Sequence, residues 1–301
     1  MKISNRTLNY NYVVYWILGL LWGSNFLFMK MAVEVIQPAQ VALLRIIFGM
    51  MPIIAFGLIN KSLNLEHLRH SRHFLAMGLL AVVVPYLGFI KGTQLLASGA
   101  AGAISGIIPL MTALFAALFL PTDRMNSKKF IGLLLGSIGV AFIAHLDRLF
   151  NYSAHDAAYG AGYMLLGSLG YAAAMIYARK FITPLNLSSL ALACYQIIAA
   201  AIILSLVVPM RGAEIILQHP KAFLATSVGL GFLGTGLAFV LYYRIIEKLG
   251  AVTASSVFYI PPVLALIIGA LIVKEEIGTA QYAGVLMILV GVSLTRKGDT
   301  K

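Results

Sequence analysis

The sequence predicts an all-α integral membrane protein: ten transmembrane helices in two inverted five-helix repeats around a central cavity. Three observations predict it: extreme apolarity, ten continuous apolar runs, and an internal duplication. Hydrophobic residues make up 60% of the 301 and charged residues 11%. A soluble domain carries roughly 45–50% and about 25%. Ten spans of about 20 residues each use up most of this length, so no extramembrane catalytic domain is expected.

The apolar runs lie at 12–33, 39–60, 73–96, 98–120, 128–146, 158–180, 187–209, 221–245, 251–273 and 277–295. They are continuous, which argues for helices. A transmembrane barrel alternates in segments of about ten residues. The first run is too long for the apolar core of a signal peptide, and no small-residue cleavage site follows Gly23-Ser24-Asn25. It is expected to be a retained first helix.

Orientation follows from Lys and Arg in the loops. With the N-terminus inside, fifteen fall on the cytoplasmic side and six on the other (Lys30, Lys91, Arg148, Arg211, Lys221, Lys274); Arg45, inside a span, completes the 22. Both termini are therefore expected in the cytoplasm of a cell whose inner membrane holds the chain. The same basic loops account for the net charge of +12, so no nucleic-acid partner is expected; membrane lipid is.

The duplication appears on shifting the first half, 1–150, against the second, 151–301. At an offset of 152 residues Pro109 meets Pro261, Gly132 meets Gly284, and Gly139-Val140 meets Gly291-Val292. At a slightly different offset Trp22…Lys30 meets Tyr171…Arg179. Each half holds five spans. An odd number makes the second copy enter from the opposite side, as in secondary transporters with a midplane site between inverted repeats.

Several segments in order resemble one family. They are Leu21-Trp22-Gly23-Ser24-Asn25-Phe26 ending at Lys30, Leu44-Arg45, Ala100-Ala101-Gly102-Ala103 running to Pro109, and Tyr259-Ile260-Pro261-Pro262-Val263 followed by Glu275-Glu276. With the duplication, they make the chain similar to the ten-helix EamA-type members of the drug/metabolite transporter superfamily. The resemblance implies a carrier of small metabolites with a central cavity lined mainly by spans one, three, four, six, eight and nine. Two departures stand out. Asp123-Arg124 occupies the place of Glu275-Glu276 in the first repeat, and Ile260 stands where many relatives have glutamate.

Polar groups inside a bilayer are costly and face the bundle interior or a cavity. Trp22, Asn25 and Met29 share one face of span one. Tyr86, Ile90 and Thr93 do so in span three, Ser105, Pro109 and Thr112 in span four, Thr235, Phe239 and Tyr242 in span eight, and Ser255, Tyr259 and Pro262 in span nine. Tyr171 joins them as the repeat partner of Trp22. The expected substrate-binding residues are Trp22, Asn25, Tyr86, Thr93, Ser105, Tyr171, Thr235, Tyr242, Ser255 and Tyr259. The competing reading is helix packing, with Ser and Thr satisfied by their own i−4 carbonyls. Pro85, Pro109, Pro261 and Pro262 are expected to kink or hinge their helices. Arg45 and Lys91 could each attract a carboxylate or phosphate, but both lie within about two turns of the outer end, and snorkelling to the outer surface is the favoured reading.

Other classes are disfavoured. A membrane enzyme needs a convergent acid, base or metal site, and the spans carry no such cluster. His67, His70 and His73 sit in a basic loop beside Arg69 and Arg72, which repel cations; no metal and no cofactor are expected. No span securely holds a carboxylate, so no proton-coupling residue stands out. The reading is a transporter, expected to export a small-molecule substrate such as an amino acid or related compound by alternating access, with one chain sufficing. A lipid or lipid-linked sugar flippase is the alternative.

Overall fold

The computed structural model describes residues 5–96, 98–120, 126–143, 153–249, 254–268 and 278–297. Among them there are helices and no strands. The paired acids and bases Asp123-Arg124 and Glu275-Glu276 lie outside the described residues.

Helix α1 spans Asn5–Val33 and α2 Pro38–Ile59. Helix α3 is one rod: a 3-10 turn at Leu65–His70, then Ser71–Gly78, a π-turn at Leu79–Val83, and Val84–Leu95. Helices α4, Ser98–Ser105, and α5, Ile108–Phe119, follow, then α6, Ser127–Ile143. Helix α7 runs Ala154–Tyr177 and continues through Ala178–Ile182 and Thr183–Leu185. Helix α8 is Ser189–Val207. Helix α9 passes from Pro220–Leu224 through a π stretch, Ala225–Leu237, to Ala238–Leu249. A 3-10 turn, Ser256–Tyr259, leads into α10, Ile260–Ile268, and α11 is Thr279–Lys297.

Among the described residues six helices are long and apolar enough to cross a membrane: Tyr10–Val33, Pro38–Ile59, Leu65–Leu95, His155–Leu185, Ser189–Val207 and Pro220–Ile246. Ile108–Phe119 and Tyr282–Leu294 are shorter apolar helices. Leu20, Met51, Phe56, Leu118, Leu206 and Leu286 are exposed on the bundle's exterior. So much bare apolar surface marks a face that meets lipid rather than water.

Helix ends differ from the apolar runs. Helix α1 begins at Asn5 instead of residue 12, and α3 at Leu65 instead of 73. Hydropathy marks the part of a helix that suits lipid, whereas backbone hydrogen bonding carries the helix on into polar sequence.

Four of the span prolines mark helix irregularities. Proline lacks an N–H, so it is tolerated in the first turn of a helix. Pro85 follows the π-turn of α3 in this position, and Pro109 follows the break between α4 and α5. Pro261 and Pro262 open α10 just after its 3-10 turn.

The two halves interleave. Helix α1 packs on α9 and α10, while α7 packs on α3 and on α4 and α5. Helix α2 lies along α9, α8 lies along α3, and α6 lies along α11. Shifting by the repeat turns each of these pairings into another, and α6·α11 into itself. The closest approach obeys the same exchange. A Cβ on Gly139 would lie 2.6 Å from Gly284 O, and one on Gly291 would lie 2.4 Å from Gly132 O. Residues 132 and 139 pair with 284 and 291 in the duplication, so the two contacts are images of each other.

Cys194 of α8 is buried, its Sγ 3.3 Å from Ile53 O. We expect a maleimide to label it slowly in the folded protein and at least about tenfold faster after denaturation, because thiols react only where the reagent reaches them. Equal rates would show that α2 and α8 do not pack this way.

Candidate functional site

Helix α1 brings Trp22, Asn25, Phe26 and Met29 along one face, at helical spacing. Opposite them stands Arg45 of α2, which is only 3% exposed. This corrects the sequence reading. A snorkelling arginine would extend toward the helix end, but Arg45 turns inward because α3 and α9 offer it partners. Its Nε donates to Thr235 Oγ1 at 2.8 Å and its Nη2 to Gly234 O at 3.1 Å. Its guanidinium lies over the Tyr86 ring, 3.8 Å from the centroid. Tyr86 Oη and Thr235 Oγ1 are hydrogen-bonded at 2.8 Å.

Helix α1 closes the network. Trp22 Nε1 donates to Gly234 O at 3.2 Å, so one carbonyl takes two side-chain donors. The Asn25 amide is oriented by its neighbours. Its oxygen accepts from Arg45 Nη2 at 3.1 Å and its nitrogen donates to Leu21 O at 3.2 Å, the assignment that satisfies both ends. A Cβ at position 234 would lie 2.2 Å from the Asn25 amide, so any larger residue there would push that amide out of the network.

Around this network the aromatic rings stack. Trp22 lies 4.8 Å from Phe258, 4.9 Å from Tyr242 and 6.1 Å from Tyr171 between ring centroids. Two small cavities flank the stack. The first, about 20 Å³, is lined by Arg45, Trp22, Asn25, Met29, Tyr171 and Phe258 among others. It lies toward the end of the bundle where α1 ends and α2 begins. The second, about 10 Å³, is lined by Met77, Ala174, Phe239, Tyr242, Tyr243 and others, and Tyr171 borders both. Among the described residues Tyr242 Oη, at that cavity, has no hydrogen-bond partner, nor does the buried Nε2 of Gln196, whose Oε1 accepts from Tyr243 Oη. A cavity of that size holds about one water, so this structure is closed around its centre.

Of the ten expected substrate-binding residues, Trp22, Asn25, Tyr86, Tyr171, Thr235 and Tyr242 come together here. Trp22, Asn25, Tyr171 and Tyr242 line the two cavities, and Tyr86 and Thr235 belong to the network beside them; the other four belong to neither. Thr93 and Ser105 turn to their own helices, Thr93 Oγ1 to Phe89 O and Ser105 Oγ to Gly102 O, both at 2.6 Å. Ser255 is buried near the start of the 3-10 turn. Tyr259 points the other way, donating to Leu133 O at 2.7 Å on α6. The 3-10 turn rotates each residue by about 120° rather than 100°, and Phe258, not Tyr259, reaches the cavity. The expected binding set omits Arg45, Phe26, Phe89 and Phe258, which line the first cavity. The Leu44-Arg45 motif was the available signal for Arg45; the phenylalanines are indistinguishable from lipid-facing ones in sequence.

The bonding elsewhere is structural. His73 Nδ1 lies 2.8 Å from Tyr177 Oη, and Tyr195 Oη donates to Asn64 O at 2.8 Å. Among the described residues no group of three metal-ligating side chains converges. Lys91 rests 5.2 Å from the Tyr163 ring, away from the network.

The pattern of the EamA-like transporter family matches this sequence twice, over residues 11–145 and 158–296. The chain belongs to the EamA-like transporter family. It is therefore a multi-pass membrane transporter of the drug/metabolite transporter superfamily. It is 25% identical over 283 residues to the uncharacterized inner membrane transporter YedA of Escherichia coli (strain K12), covering 93% of this chain and 89% of that one. It is 26% identical over 280 residues to the uncharacterized transporter YoaV of Bacillus subtilis (strain 168), covering 91% and 92%. A solved crystal structure shares the fold with a TM-score of 0.70 at 20% identity, over 97% of this chain and 98% of its own. The family and these relatives are named for transport, not for catalysis.

Proposed function

We propose that this EamA-family member exports a small organic metabolite, an amino acid or related compound, across the inner membrane by alternating access. The observation that carries the reading is the shared centre: Trp22, Asn25, Arg45 and Tyr86 from the first half meet Tyr171, Thr235 and Tyr242 from the second. A site made equally by two halves changes shape when one half rocks against the other, which is the geometry of alternating access. The swap of helix pairings and the mirrored glycine contacts support two five-helix repeats of opposite orientation, with α4 and α5 as one broken span. In that reading both termini are cytoplasmic, the cavity at Arg45 faces outward and the one at Tyr243 inward. One chain encloses the whole site, so a monomer suffices.

Substrate is admitted only when the aromatic stack opens. Pro85, Pro109, Pro261 and Pro262 stand at the helix irregularities where such bending would concentrate. A flippase is the second reading and calls for a lateral opening beside a headgroup site. An apolar groove of about 670 Å³ lies between α5 and α6, lined by Leu114, Phe130 and Ile131 among others, but Arg45 is not part of it.

The test is uptake into liposomes holding the purified protein, over a panel of labelled amino acids, with and without a pH gradient. Saturable uptake is expected, reduced about tenfold or more in Trp22→Ala and Asn25→Ala, since each loses an interaction at the site worth about 1.4 kcal/mol or more. No uptake of any panel member would reject the amino-acid reading and favour lipid or another metabolite.

A further inference from the structure

Arg45 holds a buried charge that no described residue compensates. Among the described residues no carboxylate pairs with it, and its partners are neutral: Thr235 Oγ1, Gly234 O, the Asn25 amide and the Tyr86 ring. A buried charge is normally paired or it is expensive. The bonds also fix which part of the guanidinium is left over. Nε makes one bond and Nη2 two, which accounts for three of the guanidinium's five N–H donors, and Arg45 belongs to the cavity lining. The side chain is thus held in place with donors to spare at the edge of a cavity.

We infer that Arg45 is an anion subsite that takes the carboxylate of a small organic acid. The inference rests on the transport reading and deepens it by naming the substrate's charged end. A guanidinium matches a carboxylate in shape and donor spacing. One cation compensates one negative charge, so a monoanion fits better than a dianionic phosphate. The remaining walls, Trp22, Phe26, Phe89, Tyr171 and Phe258, suit an apolar or aromatic body. An ammonium group on the same molecule would lie against these ring faces.

The test uses the full-length protein in nanodiscs, with Trp16→Phe to leave Trp22 as the fluorescent reporter. L-Phenylalanine and L-leucine are titrated beside phenylalaninamide and leucinamide, with sodium acetate and inorganic phosphate as headgroup probes. The acids are expected to change Trp22 emission at concentrations at least about tenfold below the amides, because the charge-assisted bond is lost in the latter. Arg45→Lys, which keeps the charge but not the fork, should narrow that gap. Amides that bind as well as acids overturn the inference, as does a response to phosphate alone. No response to any carboxylate also overturns it. Liposome uptake separates the two ideas: acid-selective binding without uptake keeps the subsite and rejects transport of these compounds, whereas uptake without acid preference does the reverse.

Discussion

Replacing Arg45 by methionine abolishes substrate binding and transport while leaving thermal stability in detergent or nanodiscs nearly unchanged. The two halves of that expectation come from one balance of energies. Burying an ion without a counter-ion costs several kcal/mol even after relaxation. Against it stand two hydrogen bonds to Thr235 and Gly234, a third to Asn25, and the Tyr86 ring at 3.8 Å. Hydrogen bonds to a charged group contribute about 1.5–3 kcal/mol each, and a desolvated cation–π contact about 2. The sums nearly cancel, so the native protein gains little stability from the charge. Methionine fills similar length without a charge. Gly234 O keeps the Trp22 donor and Thr235 keeps Tyr86, so only the Asn25 oxygen is orphaned. A melting curve on the variant is the check. A loss as large as that of a core cavity mutant, about 3–5 kcal/mol, would make Arg45 a structural brace instead.

Gly291→Ala has the opposite signature. It lies where α11 meets α6, and a Cβ there would be 2.4 Å from Gly132 O and 2.9 Å from Gly136 N. Both neighbours are backbone, so no flexible side chain can give way and the helices themselves must separate. Overpacking of that kind costs about 1–3 kcal/mol, occasionally more, and the loss here should reach the upper end. Lower melting temperature and reduced yield of folded protein are expected. Since none of these residues lines either cavity, the surviving folded fraction should bind substrate normally. An alanine variant as stable as the parent would mean that α6 and α11 do not approach this closely in the membrane. By the mirrored contact, Gly139→Ala should be destabilising to a similar degree.

How much of this could be read from the sequence differs between fold and site. The apolar runs, the paired prolines and glycines, and the family motifs are one-dimensional signals, and they sufficed for an all-helical membrane transporter. They suffice because a bilayer forces every backbone group into internal hydrogen bonds, so apolar length alone nearly dictates a helix. Helical spacing also picked out Trp22, Asn25, Tyr86, Thr235 and Tyr242, which the structure gathers at one centre. It placed Thr93 and Tyr259 there equally, and neither faces that centre.

The reason is that spacing reports which residues share a face, and packing decides what the face meets. The π segments of α3 and α9 and the 3-10 turn before α10 shift the helical phase locally, so a face counted at 100° per residue drifts off its target. Arg45 shows the limit most clearly. By depth alone it stood close enough to the surface to snorkel, and that was the reading of the sequence. Only the approach of α9, with Gly234 and Thr235 offering an oxygen each and Tyr86 supplying a ring, turns the guanidinium inward. The sequence by itself determined the solvent, the helices and the family of this protein. The tertiary structure decided where the buried Arg45 cation points, because that depends on partners 189 and 190 residues away along the chain.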